Sequence, residues 1–204
     1  MAYDSDPRFR VLHALRIKGF AKADALAELA AVDPDEVDRC LAELASEELA
    51  LFRETRALWQ LTPAGRQVHA DLLAADAAPI RPYIEPHYPG FLSLNIAFKE
   101  LCGDWQLRDG QPNDHSDASH DGAVIARLLD IDGQAQPLVL AMGVEVTRMA
   151  PYGPRLSTTA QRVADGDHQL FTGVMCGSYH DVWMELHEDL ILTLGIDRAA
   201  EGSF

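Results

Sequence analysis

With 204 residues, the chain has room for one medium domain or two small ones, and enough length to bury a core. Its composition, 48% hydrophobic and 24% charged, is that of a globular protein and excludes a disordered or fibrous one. The formal net charge of −15 argues against a broadly basic surface, so any nucleic-acid contact must rest on a local patch.

Asp6-Pro7 opens the first predicted helix, in which Phe9, Val11, Leu12 and Leu15 form an apolar stripe and Gly19 is the stop signal. A second helix is expected over residues 22–31, with Leu26 and Leu29 inward. Asp33 is a natural N-cap for a third, with Pro34 in its first position and Glu36 at the capping-box offset. Val37, Leu41, Leu44 and Leu49 continue the inward stripe. Residues 50–53 and 58–61 read as the strands of a short hairpin. Thr62 and Pro63 then cap a helix over 64–75.

Residues 76–89 carry Pro79, Pro82, Pro86 and Pro89, a density that predicts an extended linker. Beyond it, helical rhythm recurs over residues 91–107, 122–131, 135–149, 155–164 and 178–194, with Gly195 closing the last. Residues 108–119 are polar and predict a loop. The expected architecture is mainly α: a helix–turn–helix–hairpin–helix unit over 7–75, the linker, and an all-helical bundle over 90–196.

The order of the first unit, together with Leu61-Thr62-Pro63-Ala64-Gly65-Arg66, resembles the winged helix-turn-helix domain of MarR-like bacterial transcriptional regulators. The resemblance implies a homodimer that binds DNA, with a helical half that senses a small-molecule effector or pairs subunits. It places the recognition helix at Pro34, with its N-terminal residues toward the major groove. Arg39 is that helix's one base or phosphate reader, among Asp35, Glu36, Asp38 and Glu43. Arg53 and Arg56 at the wing, with Lys18 and Lys22 beside the second helix, are the expected phosphate contacts. The carboxylates around Arg39 favour a competing reading, an accessory or regulatory subunit of an enzyme that docks through its winged helix without DNA. Residues 91–121 and 178–195 are also similar to regions of bacterial proteins accompanying phosphoenolpyruvate-synthase-like phosphotransfer enzymes. No Thr-x-Gly-Gly-x-x-x-His segment is present, so that resemblance implies an accessory role and not a phosphoryl carrier.

Two further groups of residues carry expectations. His115 and His120 in the polar loop, with His180 and His187 on the last helix, could hold a divalent metal or build a metal-dependent enzyme. Trp105, Tyr179 and Trp183 each pair an aromatic body with a polar atom and are the expected lining of an effector pocket. Gly-x-Ser-x-Gly, P-loop and Rossmann glycine patterns are absent, so no catalytic residue is assigned. No run of about eighteen apolar residues reads as a membrane span. The first ten residues lack a secretory pattern. Cys40, Cys102 and Cys176 are odd in number and scattered, which fits a reducing cytoplasm.

Overall fold

The computed structural model describes residues 2–197. Asp6 accepts hydrogen bonds from the backbone of Arg8 and Phe9, and so starts α1 (Pro7–Lys18). Gly19, at φ 71°, turns the chain into β1 (Phe20–Ala21), a two-residue strand that periodicity alone could not reveal. Next come α2 (Ala23–Ala30) and α3 (Pro34–Ser46). The Asp33 side chain caps α3 by accepting from Asp35 N, so the reciprocal Glu36 bond of a capping box is not what holds this end.

The hairpin of β2 (Ala50–Arg53) and β3 (Leu58–Leu61) lies where it was expected. Its strands pair antiparallel, with Ala50 opposite Leu61. β1 adds to the other edge of β3, with Phe20 opposite Gln60, which gives the sheet order β1-β3-β2. Thr62 then caps α4 (Pro63–Ile84), accepting from Gly65 N at 3.0 Å while its hydroxyl donates to Glu48 O at 2.8 Å. Gly65 is required here because a Cβ would lie 2.0 Å from Leu49 O. The first turn of α4 therefore seats directly on the chain entering β2.

The expected extended linker over 76–89 is corrected by the structure. α4 continues to Ile84, a 3-10 turn spans Glu85–His87, and α5 (Tyr88–Gln106) follows at once. Pro79 and Pro82 sit within α4 on its exposed side. Each removes an N–H bond to a carbonyl four residues earlier, at Ala75 and Ala78, and those residues are also exposed, so water can satisfy them. Ile80 and Ile84 remain fully buried on the opposite side. Burial of that inner stripe outweighs the helix-breaking tendency of the outer prolines. The same reasoning merges the two segments expected at 122–131 and 135–149 into α6 (Ala118–Glu145), whose Pro137 is exposed.

Between α5 and α6 lies a small hairpin, β4 (Leu107–Arg108) with β5 (Gln111–Pro112), inside the predicted loop. The chain ends with α7 (Tyr152–Ala164), the short α8 (Gln169–Thr172) and α9 (Tyr179–Leu194). Ser178 and Asp181 form a full capping box on α9, and Gly195 closes it at φ 68°.

The protein is mainly helical, with small antiparallel sheets. α4 packs against both α1 and α9, and α5, α6 and α7 lie side by side. One apolar core runs without interruption from Val11 and Leu41 in the first unit to Trp183 and Leu190 in the last helix. Among the described residues, no helix is long and apolar enough to cross a membrane.

Candidate functional site

α3 buries Val37, Cys40, Leu41 and Leu44, and so turns Asp35, Asp38, Arg39 and Ala42 outward. Arg39 is engaged on its own helix: Nε donates to Glu36 Oε2 at 2.9 Å, and Nη1 meets Glu43 Oε1 at 2.5 Å. The outward face is therefore acidic, and its arginine is committed to neighbours one turn away on either side. Arg53 and Arg56 are exposed on the hairpin, and Lys22 is exposed before α2. Lys18 is not free, because its Nζ lies 2.5 Å from Glu185 Oε1 on α9. Of the five residues expected on DNA, Lys18, Lys22 and Arg56 line one cleft, whereas Arg39 and Arg53 do not.

The four histidines expected to bind metal are kept apart. His115 bonds Asp121 Oδ2 at 3.0 Å and lies over Trp105, and His120 Nε2 is 3.1 Å from Asp104 O. His180 is tilted against Phe98, and His187 is buried against Phe91. Among the described residues, no group of three or more His, Cys, Asp or Glu side chains could hold an ion. Seven residues apart, His180 and His187 share one face of α9 to within about twenty degrees, and both rings lie against α5, but they sit two turns apart: His180 is on a cleft wall and His187 is buried.

The expected effector lining is likewise corrected. Trp105, Tyr179 and Trp183 are buried core residues. Trp183 Nε1 donates to Asn95 at 2.9 Å, and Tyr179 OH donates to Asp132 at 3.3 Å. The polar atoms of Trp183 and Tyr179 are thus satisfied inside the core, and Trp105 packs against Phe171 and His115.

Sequence reading missed the polar seam where α1 and α4 meet α9. Asp189 is 1% exposed. It accepts from His13 Nε2 at 3.0 Å, Tyr152 OH at 3.0 Å, Thr193 Oγ1 at 3.1 Å and the Arg148 guanidinium. Arg148 also donates to Thr193 at 2.6 Å and approaches Asp76 of α4 at 3.5 Å. Burial resists ionisation of Asp189, but the adjacent Arg148 and His13 overcome it and hold the carboxyl below its usual range. His13 Nδ1 lies 2.8 Å from His69 Nε2 of α4, and both rings stack with Phe9. Burial, followed by the nearby His13, pushes His69 down to about 3, so its ring is neutral. The signal in sequence is Glu185, Asp189 and Thr193, spaced four apart on one side of a helix that otherwise reads as apolar.

One turn along α9, Glu185 extends the seam to the surface. It binds Lys18 of α1 and, at 2.8 Å, Arg155 Nη2 of α7. Arg155 also reaches Glu28 of α2 at 3.1 Å. Above these pairs opens a cleft of about 820 Å³ between β1, α2 and the hairpin on one side and α9 with the 175–177 turn on the other. Its size falls within the range of small-molecule sites, roughly 300–1,000 Å³. Phe20, Met175 and Met184 are apolar and solvent-exposed along it. Comparisons of the chain with protein-family models, curated proteins and solved structures found no match.

Proposed function

We propose that the chain is a MarR-like winged-helix transcriptional regulator that acts as a cytoplasmic homodimer, its helical half sensing a small ligand or pairing subunits. The observation that carries this reading is the sheet order β1-β3-β2, packed against α1 and α3. In that arrangement α3 is the recognition helix and the 54–57 turn is the wing. Arg53, Arg56 and Lys22 supply exposed charge for phosphate contacts. Because α1 and α4 both pack on α9, a change in the helical half would be felt by the reading unit, and a ligand would act by preferring one arrangement of the two. The test is retention of genomic fragments on the purified protein, followed by sequencing. A regulator enriches a small set of fragments sharing a pseudo-palindromic element; even retention of all fragments, or none, overturns the reading.

A second reading is favoured by the capture of Arg39 between Glu36 and Glu43, which leaves an acidic α3 face. Here the winged helix docks a basic surface on an enzyme partner, and the chain is an accessory or regulatory subunit. Charge reversal at Asp35 and Asp38 would abolish that complex and would strengthen DNA binding, so one pair of variants separates the two readings.

A further inference from the structure

Four large apolar side chains stand further into solvent than any others among the described residues, and they fall into two pairs. Val174 and Met175, 77% and 74% exposed, sit together on the turn that enters α9. Leu140 and Val144, 67% and 61% exposed, sit one turn apart on α6. Single exposed apolar residues are ordinary, but contiguous ones mark contact surfaces.

The 173–177 turn is a fixed projection. Ser178 Oγ donates to Gly173 O at 2.5 Å, and Asp181 accepts from Cys176 N and Gly177 N at 3.0 Å each, so both ends are tied to the start of α9. Met175 is held at φ 58°, a conformation that favours glycine and persists only where the surroundings impose it. A turn ordered before any partner arrives loses little conformational entropy on docking.

Leu140 and Val144 belong to a groove of about 560 Å³, which Pro82, Tyr83, Pro86 and Pro137 complete. The prolines give it apolar surface without N–H groups that need hydration. α6 as a whole buries Asp121 and Asp132 while it turns Leu140 and Val144 outward, the reverse of a helix whose outer side is meant for water. Arg81 Nε donates to Thr193 O at 3.2 Å, which places the groove at the C-terminal end of α9. The turn lies at the N-terminal end of the same 16-residue helix, about 24 Å away, so it cannot fill the groove of its own chain.

The charges beside the two patches are opposite in sign. Lys22 and Arg56 line the same cleft as Met175, whereas Glu145 lines the groove and Glu85 lies in its wall between Tyr83 and Pro86. None of these four makes an ion pair among the described residues. Copies of a chain with a net charge of −15 repel one another unless carboxylates of one meet cations of the next. Setting the turn of one copy against the groove of another does this.

We propose that the protein self-associates head-to-tail, with Val174 and Met175 of one copy seated in the Tyr83–Leu140–Val144 groove of the next. Burial of the four exposed apolar side chains drives the contact, and Met175 adapts its shape to the proline-lined wall. Lys22 and Arg56 opposite Glu85 and Glu145 fix its orientation. The contact joins two different surfaces, so it is distinct from a symmetric pairing that would set two α3 helices on DNA. It goes beyond the regulatory reading and does not rest on it.

The test follows the mass of the full-length protein by sedimentation velocity over a concentration series. The parent should grow in mass as concentration rises. Met175→Asp and Leu140→Asp each alter an exposed side chain, so their thermal midpoints should match the parent while association weakens by about tenfold or more. Mixed in equal amounts, the two variants should associate again, because one keeps the groove and the other keeps the turn. Lys22→Glu/Arg56→Glu should weaken association several-fold. The inference is overturned by a mass that stays constant up to about 1 mM, by growth that survives either single substitution, or by a mixture that behaves as its separate parts. Association indifferent to Lys22→Glu/Arg56→Glu overturns it as well. DNA enters none of these readouts, and a regulator paired through another face would show a constant dimeric mass, so failure here is separable from failure of the regulatory reading.

Discussion

Replacing Asp189 by Asn removes one negative charge without changing shape, at the centre of the seam that joins the first unit to α9. In the native protein that carboxylate accepts from four side chains, and Arg148, 3% exposed, has among the described residues only Asp76 at 3.5 Å as a further ion-pair partner. The variant therefore leaves a buried guanidinium largely uncompensated, a change that costs about 3–5 kcal/mol. Total stabilities are typically only about 5–15 kcal/mol, so this is a third or more of the whole for a marginal fold. For a chain of this length, each kcal/mol moves the midpoint by roughly 2–4 °C, giving a fall of about 6–20 °C. Urea unfolding followed by far-UV circular dichroism measures it, with an unchanged m-value showing that only stability has moved. Arg148→Met combined with Asp189→Leu should recover most of the loss, because matched apolar groups avoid the desolvation cost of the pair. A loss below about 1 kcal/mol for Asp189→Asn would refute the reasoning, since it would place the seam among pairs of little net worth.

Three further outcomes follow from the same geometry. His69 is held neutral down to about 3, well below an unfolded histidine near 6.5, so the unfolded chain binds the extra proton first. Its contribution is present above pH 6.5 and is lost as pH falls toward 3. That loss is of order 2–4 kcal/mol after allowance for screening, and stability profiles of His69→Gln should be flatter across this window. Asp189, whose folded value is depressed, adds a second loss as pH falls below the ordinary carboxylate range. Gly65→Ala forces a Cβ onto Leu49 O and should cost about 1–3 kcal/mol, read by thermal unfolding. Glu36→Gln with Glu43→Gln releases Arg39, and under the regulatory reading it should raise DNA affinity several-fold in an anisotropy titration; lower or unchanged affinity would count against α3 as the reading helix.

The first unit was largely legible because its signals are local. Asp6-Pro7, Asp33-Pro34 and Thr62-Pro63 each announce a helix start, and the two hairpin strands have four residues each between clear flanks. β1 was not legible, since two residues cannot show alternation and are ordered only by pairing with β3. The linker was misjudged because proline counts report backbone preference and not which side of a helix the proline occupies. Pro79, Pro82 and Pro137 all face outward, where a missing bond is answered by water. The expected pocket residues were misplaced for a related reason. Trp105, Tyr179 and Trp183 were chosen for chemistry that tertiary packing uses internally, whereas His13, His69, Arg148 and Asp189 come together from four separate segments. Only the four-residue spacing of Glu185, Asp189 and Thr193 on α9 left a trace of that seam in the sequence.

The most direct test of the regulatory reading is the salt dependence of binding to the chain's own upstream DNA. Lys22, Arg53 and Arg56, doubled in a dimer, should give specific binding whose log affinity falls with log salt at a slope of about −5, at roughly −0.9 per phosphate neutralised. Arg53→Ala/Arg56→Ala should flatten that slope. Absence of specific binding at low salt, or an affinity indifferent to salt and to both arginines, would contradict the account.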